Sequence, residues 1–452
     1  MERLSGCLAV LQAGGKGTRM RELTGDRLPK PMLKLGGRTM LEWQVLNLRR
    51  YGLTEFVIIV GHLGEQIETY FGDGSLLGVH IRYIAEPEPL GSGGALAYLR
   101  NSLAGFKHVL VVLGDVMFDI NLPRFVSFHE AAGAAVTLLV HPNAHPQDSD
   151  LVVLEEPEPD PDQPVLGALG GRVLHFDDKA NVRDYYFENC VNAGLYLLEP
   201  GVVQSLGEAR PMDLERDILL PYLDEGRLFG YRTTEYVKDA GTPARFRAAE
   251  ADLAAGKWAS RNLELPQKAV FLDRDGTLNT YRGLITSPDE IYLLPGAAEA
   301  VRLLNASQYL VIIVTNQPVV ARGMCGIRDV LRMHRKLSVM LGEAGAYWDD
   351  IIFCPHHPQK GFPEENAFYK RECGCRKPKA GMVDVMAKRW HIDLSKSWLI
   401  GDTFRDVECA RNAGMRSILV HSGENTETGQ AEPDLEAEDI LGAVKVVLMK
   451  EI

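Results

Sequence analysis

The sequence predicts an α/β protein in which two units, each a mostly parallel sheet covered by helices, follow one another along the chain. Short apolar runs recur, and each is followed by turn residues and a helical pattern, which is typical of buried strands joined by helices. The runs form two series, and 452 residues with 46% hydrophobic content are enough for more than one core. The two series carry different motifs, so no internal repeat is expected.

The predicted strands set the domain limits. The first series comprises residues 8–11, 56–60, 109–113 and 135–140. The second series comprises residues 269–272, 310–314, 351–354, 398–400 and 417–420. Between them, a helix-favouring stretch at 244–257 precedes a polar segment that ends at Pro266, which predicts a closing helix and a linker. We therefore predict a domain at residues 1–258, a linker at 259–267 and a domain at 268–452.

Charge and hydropathy argue against nucleic acid and membrane as partners. The formal net charge is -12, from 61 acidic and 49 basic residues without a long like-charge block. No stretch approaches the roughly 18 consecutive apolar residues of a membrane helix. Residues 1–3 lead into an apolar strand without a signal-peptide pattern, so a cytoplasmic location is expected. The oligomeric state stays open. Residues 155–164, rich in proline and acid, are predicted to form an exposed loop.

A glycine-rich loop follows the first predicted strand. QAGGKGTRM spans residues 12–20, and LPKPM spans residues 28–32. Glycines at the C-terminal end of a strand let backbone N–H groups approach phosphate oxygens, and Arg19 and Lys30 can supply positive charge for a triphosphate. Such a loop alone is weak evidence, since glycine also serves ordinary turns. The predicted nucleotide contacts here are Gly14, Gly15, Gly17, Thr18, Arg19 and Lys30.

The combination resembles the sugar-1-phosphate nucleotidyltransferases over roughly residues 6–250, which implies a glycosyltransferase-A-like, Rossmann-like domain. The resemblance assigns further residues: base recognition to Gly91 and Gly93, the sugar phosphate to Lys179, the sugar to Asn192 and Gly194, and Mg²⁺ to Asp115 and Asp239. A sugar-1-phosphate oxygen would attack the nucleotide α-phosphate in line, and pyrophosphate would leave. Arg19 would steady the pyrophosphate, and Lys30 would stabilise the shared charge. Either aspartate taken alone is better explained as a loop cap or turn. Six motifs in family order reverse that preference: the glycine-rich loop with PKP, followed by LGSGGA, LGD, FDDK, NAGLY and DAGTP.

In the C-terminal half, the strand at 269–272 runs into DRDGTLN at residues 273–279. Strand residues two apart point the same way, so Asp273 and Asp275 can face one phosphate. Such a pair can divide the roles of nucleophile and general acid if a cation suppresses their repulsion. The motif resembles the haloacid dehalogenase superfamily of phosphotransferases.

The other motifs of that superfamily appear in order. The resemblance assigns the phosphate-binding hydroxyl to Thr315, the aspartyl-phosphate contact to Lys377, substrate contacts to Asn316 and Arg376, and Mg²⁺ to Asp273, Asp275 and Asp402. Asp406 belongs to the same acidic element as Asp402. Too few residues separate Asn279 from Gln317 for a large cap domain, so a capless, open site is expected.

A cysteine and histidine cluster precedes Lys377. Seven cysteines is an odd number, and three of them lie close together beside histidines, which suits metal ligation better than disulfides. The predicted zinc ligands are Cys354, His356, Cys373 and Cys375. Three thiolates and one imidazole leave no vacant position, so the Zn²⁺ should be structural. His356 is chosen over His357 by family position.

With CPHHP, CGCRKPKAGM and TNQ, residues 268 to about 445 resemble the D-glycero-D-manno-heptose 1,7-bisphosphate 7-phosphatases, close kin of the histidinol phosphatases. A bisphosphatase that leaves the anomeric phosphate makes the acceptor that a nucleotidyltransferase consumes. The resemblance thus implies loss of the 7-phosphate in the C-terminal half, followed by transfer of GMP from GTP to heptose 1-phosphate in the N-terminal half. Residues 318–323 depart from the small residues common in that family, on a substrate-side loop.

Three alternatives stay open. The N-terminal half could be a mannose-1-phosphate guanylyltransferase, or another sugar pyrophosphorylase, fused to a phosphatase of different specificity. The C-terminal half could be a histidinol-phosphatase-like enzyme, although the N-terminal half then lacks a pathway reason. The third alternative is a nucleotide-sensing domain joined to a phosphatase. The presence of Lys30, Asp115 and Asp239 argues against this alternative, since a sensor could lose these residues.

Overall fold

Two large sheets organise the protein, as seen in a computed structural model that describes residues 4, 6–423 and 431–450. The strands are β1 (Cys7–Gln12), β2 (Lys34–Leu35), β3 (Arg38–Thr39), β4 (Glu55–Val60), β5 (His80–Ala85), β6 (His108–Leu113), β7 (Val116–Asp119), β8 (Val136–His141), β9 (Leu151–Leu154), β10 (Val165–Leu166), β11 (Gly170–Asp177), β12 (Val191–Leu198), β13 (Leu228–Arg232), β14 (Tyr236–Asp239), β15 (Lys268–Leu272), β16 (Tyr309–Asn316), β17 (Asp350–Cys354), β18 (Trp398–Gly401), β19 (Arg416–Val420) and β20 (Leu435–Ala437). The α-helices are α1 (Arg21–Thr24), α2 (Met40–Arg50), α3 (Gly64–Phe71), α4 (Leu122–Ala132), α5 (Pro200–Gln204), α6 (Leu220–Asp224), α7 (Pro243–Ala254), α8 (Lys257–Ser260), α9 (Ala297–Ala306), α10 (Ile327–Glu343), α11 (Gly381–Trp390), α12 (Phe404–Asn412) and α13 (Ile440–Met449).

The first sheet has nine strands in the order β5-β4-β1-β6-β12-β8-β13-β11-β9. Strands β5, β4, β1 and β6 are parallel to their neighbours in that group. Strand β12, however, runs antiparallel to both β6 and β8, and β11 runs antiparallel to β13 and β9. The prediction of a mostly parallel sheet is therefore wrong for this half. Strands β9, β10 and β11, rather than a crossover α-helix, lie between β8 and β12 in sequence, and antiparallel pairs need no helical crossover.

The second sheet has seven strands in the order β10-β17-β16-β15-β18-β19-β20. Every pair in it is parallel except that of β10 with β17. Its five central strands β15 to β19 match the second series of predicted strands, and apolar clusters cover both faces. Strand β10 belongs to the N-terminal half of the chain, so that half contributes an edge strand to the other half's sheet.

The segment between the two sheets is buried at residues 257–258 and 261–263 and exposed at residues 264–266. Trp258, Arg261, Asn262 and Leu263 are each no more than 3% exposed. Arg261 Nη1 lies 3.1 Å from Asp349 Oδ1 in the C-terminal half. Asn262 Nδ2 donates to Asp119 Oδ1 of β7, at 2.7 Å. The connection therefore packs against both halves.

The motif residues follow strand ends on both sheets. The glycine-rich loop follows β1, Asp115 follows β6, Asp273 follows β15, and Asp402 follows β18. Ligands of open α/β sheets bind outside such carboxyl ends. Among the described residues, no helix is long and apolar enough to cross a membrane. Residues 1–3, part of the expectation about location, lie outside the described residues.

Candidate active sites and metal centre

The glycine-rich loop and the end of β6 line a cavity of about 390 Å³. Of the predicted nucleotide contacts, its wall contains Gly14, Gly15, Gly17, Thr18, Arg19, Lys30 and Gly91. Gly93 is not part of that wall. A Cβ at Gly93 would lie 2.7 Å from Ile218 Cδ1, so this glycine permits close packing of the loop on its neighbour.

Two carboxylates and a lysine converge at one end of this cavity. Lys30 forms an ion pair with Asp115. Asp239 accepts a hydrogen bond from the Gly241 backbone N–H at 2.6 Å and pairs with Arg245. A Cβ at position 241 would lie 2.6 Å from Asp239 Oδ1, 3.0 Å from Asp115 Oδ2 and 3.3 Å from Lys30 Nζ. Because residue 241 is glycine, this space is open, and its carboxylate oxygens are the ligands that Mg²⁺ prefers.

Three further polar residues line the cavity: Gln12 at the start of the glycine-rich loop, Ser92 and Glu86. Gln12 Nε2 donates to the Ser92 backbone carbonyl at 2.6 Å, which links the start of the glycine-rich loop to the loop that contains Gly91 and Gly93. Glu86 also lies on the cavity wall, beside Gly14. Burial raises the pKa of Glu86 above its usual value. Glu86 stands in no motif and was missed from the sequence, whereas Ser92 lies between Gly91 and Gly93 of the predicted base-recognition loop.

The predicted sugar contacts on β12 form a separate polar cluster. Asn192 Nδ2 donates to the Tyr196 hydroxyl at 2.8 Å, and that hydroxyl donates to Glu215 Oε1 at 3.0 Å. Gly194 has φ +76° and donates its N–H to Asn192 Oδ1 at 3.1 Å. Burial raises the pKa of Glu215. Glu215 was missed from the sequence, because it joins the cluster only through the fold.

Lys179 pairs with Asp150, a carboxylate close enough to Glu215 to contribute to its raised pKa. Its Nζ lies 3.2 Å from Asp150 Oδ2, and its side chain is 57% exposed. It does not line the cavity that holds Lys30 and Arg19.

In the C-terminal half, Lys377 joins two carboxylates. Its Nζ lies 2.9 Å from Asp273 Oδ1 and 2.6 Å from Asp406 Oδ1, and Lys377 is only 3% exposed. Burial lowers the pKa of this lysine, but the two carboxylates outweigh burial and raise it overall. The lysine is therefore held charged beside the predicted nucleophile.

Asp273, Asp402 and Asp406 each offer an oxygen within 4.8 Å of the others. Burial and repulsion between these carboxylates raise the pKa of Asp402 to about 8 and that of Asp273 to about 6. Asp402 Oδ1 is buried and has no hydrogen-bond partner within the described part of the chain. A buried, unpartnered carboxylate oxygen is costly unless a cation or donor meets it, so this group fits a divalent cation.

Asp275 is held apart from this carboxylate group. Its oxygens accept hydrogen bonds from Arg274 Nη2 at 2.7 Å, Asn279 Nδ2 at 2.9 Å and Gln317 Nε2 at 3.0 Å. Burial raises the pKa of Asp275, but these donors outweigh burial and lower it overall. The structure thus groups Asp406 with Asp273 and Asp402, where the sequence-based magnesium set has Asp275. Arg274 and Gln317 were missed as partners of Asp275.

The remaining predicted phosphatase residues surround Lys377. Thr315 Oγ1 accepts from Gln317 Nε2 at 3.0 Å. Asn316 donates to the Lys377 carbonyl at 3.1 Å and accepts from its N–H at 3.0 Å. Arg376 Nη1 donates to the His356 carbonyl at 3.3 Å. Asn316 and Arg376 therefore hold the loop that carries the lysine.

The four predicted zinc ligands come together. The sulfur atoms of Cys354, Cys373 and Cys375 lie 3.3 to 3.7 Å apart, and His356 Nδ1 lies 3.3 Å from Cys375 Sγ and 3.6 Å from Cys354 Sγ. Zinc–sulfur bonds of about 2.3 Å in a tetrahedron give edges of about 3.8 Å. The donor set and its size fit Zn²⁺. His357 turns elsewhere and accepts a hydrogen bond from the Gln359 N–H.

Comparisons with known proteins match two different parts of the chain. A family model described as nucleotidyl transferase matches residues 8–256, and one described as HAD-hydrolase-like matches residues 374–443. The D-glycero-beta-D-manno-heptose-1,7-bisphosphate 7-phosphatase of Rhodopseudomonas palustris is 42% identical over 147 residues, 32% of this chain and 79% of the relative. The phosphatase of the same name from Haemophilus ducreyi is 35% identical over 184 residues, 40% of this chain and 98% of the relative. The mannose-1-phosphate guanylyltransferase of Mycobacterium tuberculosis is 31% identical over 250 residues, 55% of this chain and 65% of the relative.

Proposed function

The chain belongs to the nucleotidyl transferase family through residues 8–256 and to the heptose-1,7-bisphosphate 7-phosphatases through its C-terminal half, and from this premise we propose a bifunctional enzyme of activated-heptose synthesis. The C-terminal half removes the 7-phosphate of D-glycero-D-manno-heptose 1,7-bisphosphate. The N-terminal half transfers a nucleoside monophosphate to the resulting heptose 1-phosphate and releases pyrophosphate. The observation that carries this proposal is the presence of two separate charged sites, around Lys30 and around Lys377, in one chain.

In the transferase site, the chain's own groups bind and orient two anionic substrates. The glycine-rich loop presents backbone N–H groups to the phosphates, and Arg19 holds the β- and γ-phosphates that leave as pyrophosphate. Lys30 neutralises the oxygens of the α-phosphate as the sugar-phosphate oxygen forms its bond to phosphorus and the bond to pyrophosphate breaks. Asp115 and Asp239 would hold Mg²⁺, which supplies positive charge to the α-phosphate when bound.

In the phosphatase site, an Asp273 oxygen attacks the phosphorus of the 7-phosphate, and the bond between phosphorus and the sugar oxygen breaks. Despite burial, its donors lower the pKa of Asp275 in the free protein, so Asp275 must take up a proton when the substrate binds, and it then gives this proton to the leaving sugar oxygen. Asp275 then takes a proton from water, the water oxygen attacks phosphorus, and the bond to Asp273 breaks to release phosphate. Lys377 stabilises the phosphoryl oxygens throughout. Asp273 and Asp402 would hold Mg²⁺, with Asp406 beside them, and the ion supplies charge neutralisation when bound.

We propose GTP as the nucleotide. The support is the 31% identity to a relative whose name specifies a guanylyltransferase. The name of this relative makes mannose 1-phosphate a second candidate acceptor. The relative matches the N-terminal half of the chain, which the phosphatase relatives do not cover. The C-terminal relatives favour heptose, since their product would be the acceptor of the next step.

We also propose the finer assignments that the sequence suggested. Zn²⁺ is held by the three thiols and His356 as a structural ion, and the geometry of the four donor atoms supports this. The division into residues 1–258, 259–267 and 268–452 is supported by the start of β15 at Lys268. We also predict that the substrates are small phosphorylated molecules, that nucleic acid is not a partner and that the protein is cytoplasmic.

The test is to incubate the purified enzyme with heptose 1,7-bisphosphate, as each anomer, and with each nucleoside triphosphate in turn, and to follow the products by ³¹P NMR. We expect inorganic phosphate first, then pyrophosphate with GTP. The absence of pyrophosphate with every nucleotide and with supplied heptose or mannose 1-phosphate would refute the transferase proposal.

A single variant separates the two sites. We expect Asp273→Asn to abolish phosphate release, because the amide cannot form the phosphoryl bond, while transfer onto supplied heptose 1-phosphate continues at the wild-type rate. Loss of both activities in a folded Asp273→Asn protein would contradict independent sites.

A further inference from the structure

The N-terminal half reaches the proposed zinc cluster of the C-terminal half through residues 155–166, which we call the bridging segment. The Pro161 carbonyl, in this segment, accepts a hydrogen bond from His356 Nε2 at 2.8 Å. The other ring nitrogen of His356, Nδ1, faces the three thiols. We propose that the bridging segment fixes the metal-binding form of His356, so that the transferase half positions a zinc ligand of the phosphatase half.

Four further contacts hold the bridging segment beside His356. Asp162, next to Pro161, forms an ion pair with Arg371, which lies two residues before Cys373. At the other end, Glu156 pairs with Arg335 of α10. Strand β10 pairs with β17, with Val165 opposite Phe353 and Leu166 opposite Ile352. Since β17 ends at Cys354, the segment is joined to the strand that carries the first zinc ligand.

The chemistry follows from the two nitrogens of an imidazole ring. A metal binds the nitrogen that carries no proton, so the proton must reside on the other nitrogen. A carbonyl oxygen can only accept, and the Pro161 carbonyl therefore holds the proton on Nε2 and leaves Nδ1 free for the metal. Partners of this kind orient the ring and raise ligand basicity, and their loss typically costs roughly 10- to 100-fold in metal affinity.

The position of the cluster links this hydrogen bond to catalysis. The last ligand, Cys375, lies two residues before Lys377, and Arg376 between them donates to the His356 carbonyl at 3.3 Å. The lysine contacts the nucleophile Asp273. Pro161 is therefore part of a positioning device: it acts on the catalytic lysine through the metal cluster and touches no substrate.

The inference rests on the proposed zinc site, and its test uses the full-length protein. One variant replaces residues 159–162 with two glycines, which removes the Pro161 carbonyl. A milder variant, Asp162→Ala, keeps the chain length and removes only the ion pair with Arg371. The matched control is Glu158→Ala, an exposed carboxylate in the same segment for which the described structure records no ion pair.

The main readouts are the rate of zinc release to a chromogenic chelator and the visible spectrum of the cobalt-substituted protein, which reports the ligand field at His356. We expect zinc release about 10- to 100-fold faster in the shortened variant, a smaller increase in Asp162→Ala, and an altered cobalt spectrum in the shortened variant. Transferase activity, measured in the same samples, reports whether the N-terminal half is folded.

The outcomes are distinguishable. Wild-type protein that binds no zinc would overturn both the proposed site and this inference. Wild-type protein that holds one zinc, with release rates and cobalt spectra unchanged in both segment variants, would overturn the inference alone. An equal effect of Glu158→Ala would also overturn it, because the change would then follow the charge of the segment rather than the contact of Pro161.

Discussion

Gly241 offers a sharp test of the transferase site, since a single methyl group would enter the space between the two carboxylates. In Gly241→Ala the new Cβ would lie 2.6 Å from Asp239 Oδ1, where ordinary contact begins at 3.4 Å. The carboxylate cannot simply turn away. One oxygen is held by the Gly241 N–H and the other by Arg245, so a shift of about 0.8 Å would break one of these contacts.

The size of the effect follows from that displacement. A misplacement of about 1 Å in a reacting site costs on the order of 100-fold in rate. We therefore expect kcat for pyrophosphate release to fall roughly 50- to 100-fold, equivalent to about 2.5 kcal/mol in the activation free energy. The backbone at Gly241 does not occupy the left-handed region, so alanine adds no backbone strain there.

The assay is coupled detection of pyrophosphate with saturating GTP and heptose 1-phosphate. Phosphate release from heptose 1,7-bisphosphate, measured on the same sample, reports folding of the other half. Gly201→Ala is the matched control, because its Cβ on α5 would meet no atom within 4 Å. Gly241→Ala with kcat within twofold of the wild type would refute the convergence of Asp115 and Asp239 on one catalytic cation.

Three further predictions follow from the two sites and their junction. Lys30→Met should lower transfer by about 100- to 1000-fold, because it removes the cation beside Asp115, and leave phosphate release unchanged; equal loss of both activities would contradict this. Asp349→Ala should lower the free energy of unfolding by about 3–5 kcal/mol in urea titrations, since it leaves buried Arg261 unpaired; an unchanged midpoint would argue against that buried pair. Brief treatment with EDTA should stop both reactions, and Mg²⁺ alone should restore them, because a closed zinc cluster exchanges slowly; a requirement for added Zn²⁺ would show that the cluster is open.

The positions of motif residues at strand ends were predictable because the apolar strand and the motif that follows it are both read from neighbouring residues. An apolar run marks the strand, and the residues directly after it must lie at the sheet's carboxyl edge, as Asp115, Asp273 and Asp402 do. The convergence of Cys354, His356, Cys373 and Cys375 was predictable for a similar reason, since three thiols and a histidine so close in sequence are typical of a metal site. Strand β5, by contrast, escaped prediction because Ile81 is its one buried residue and its residues form no apolar run.

Contacts between groups distant in sequence were not predictable. Glu215 contacts Asn192 only because the π-helix Leu214–Leu219 packs near β12, and Gln317 contacts Asp275 between the ends of two neighbouring parallel strands. The bridging segment is the clearest case. Its composition predicted an exposed loop, and much of it is exposed, but β10 and Pro161 have partners in the other half of the chain. The hydrophobic pattern of a short segment does not predict its contacts with residues far away in the sequence.

The buried connection between the sheets bears on how such a protein can change over generations. Asn262 donates to Asp119 on one side, and Arg261 pairs with Asp349 on the other. An insertion or deletion beside Arg261 or Asn262 would pull a buried donor from its acceptor, so this part of the joint does not tolerate the changes in length that exposed linkers accept. Related fused enzymes should therefore keep the length of this joint constant and should exchange Arg261 and Asp349 only together. The two halves therefore depend on each other for buried contacts. A different phosphatase domain in this position would need an acidic residue at the place of Asp349 to pair with Arg261.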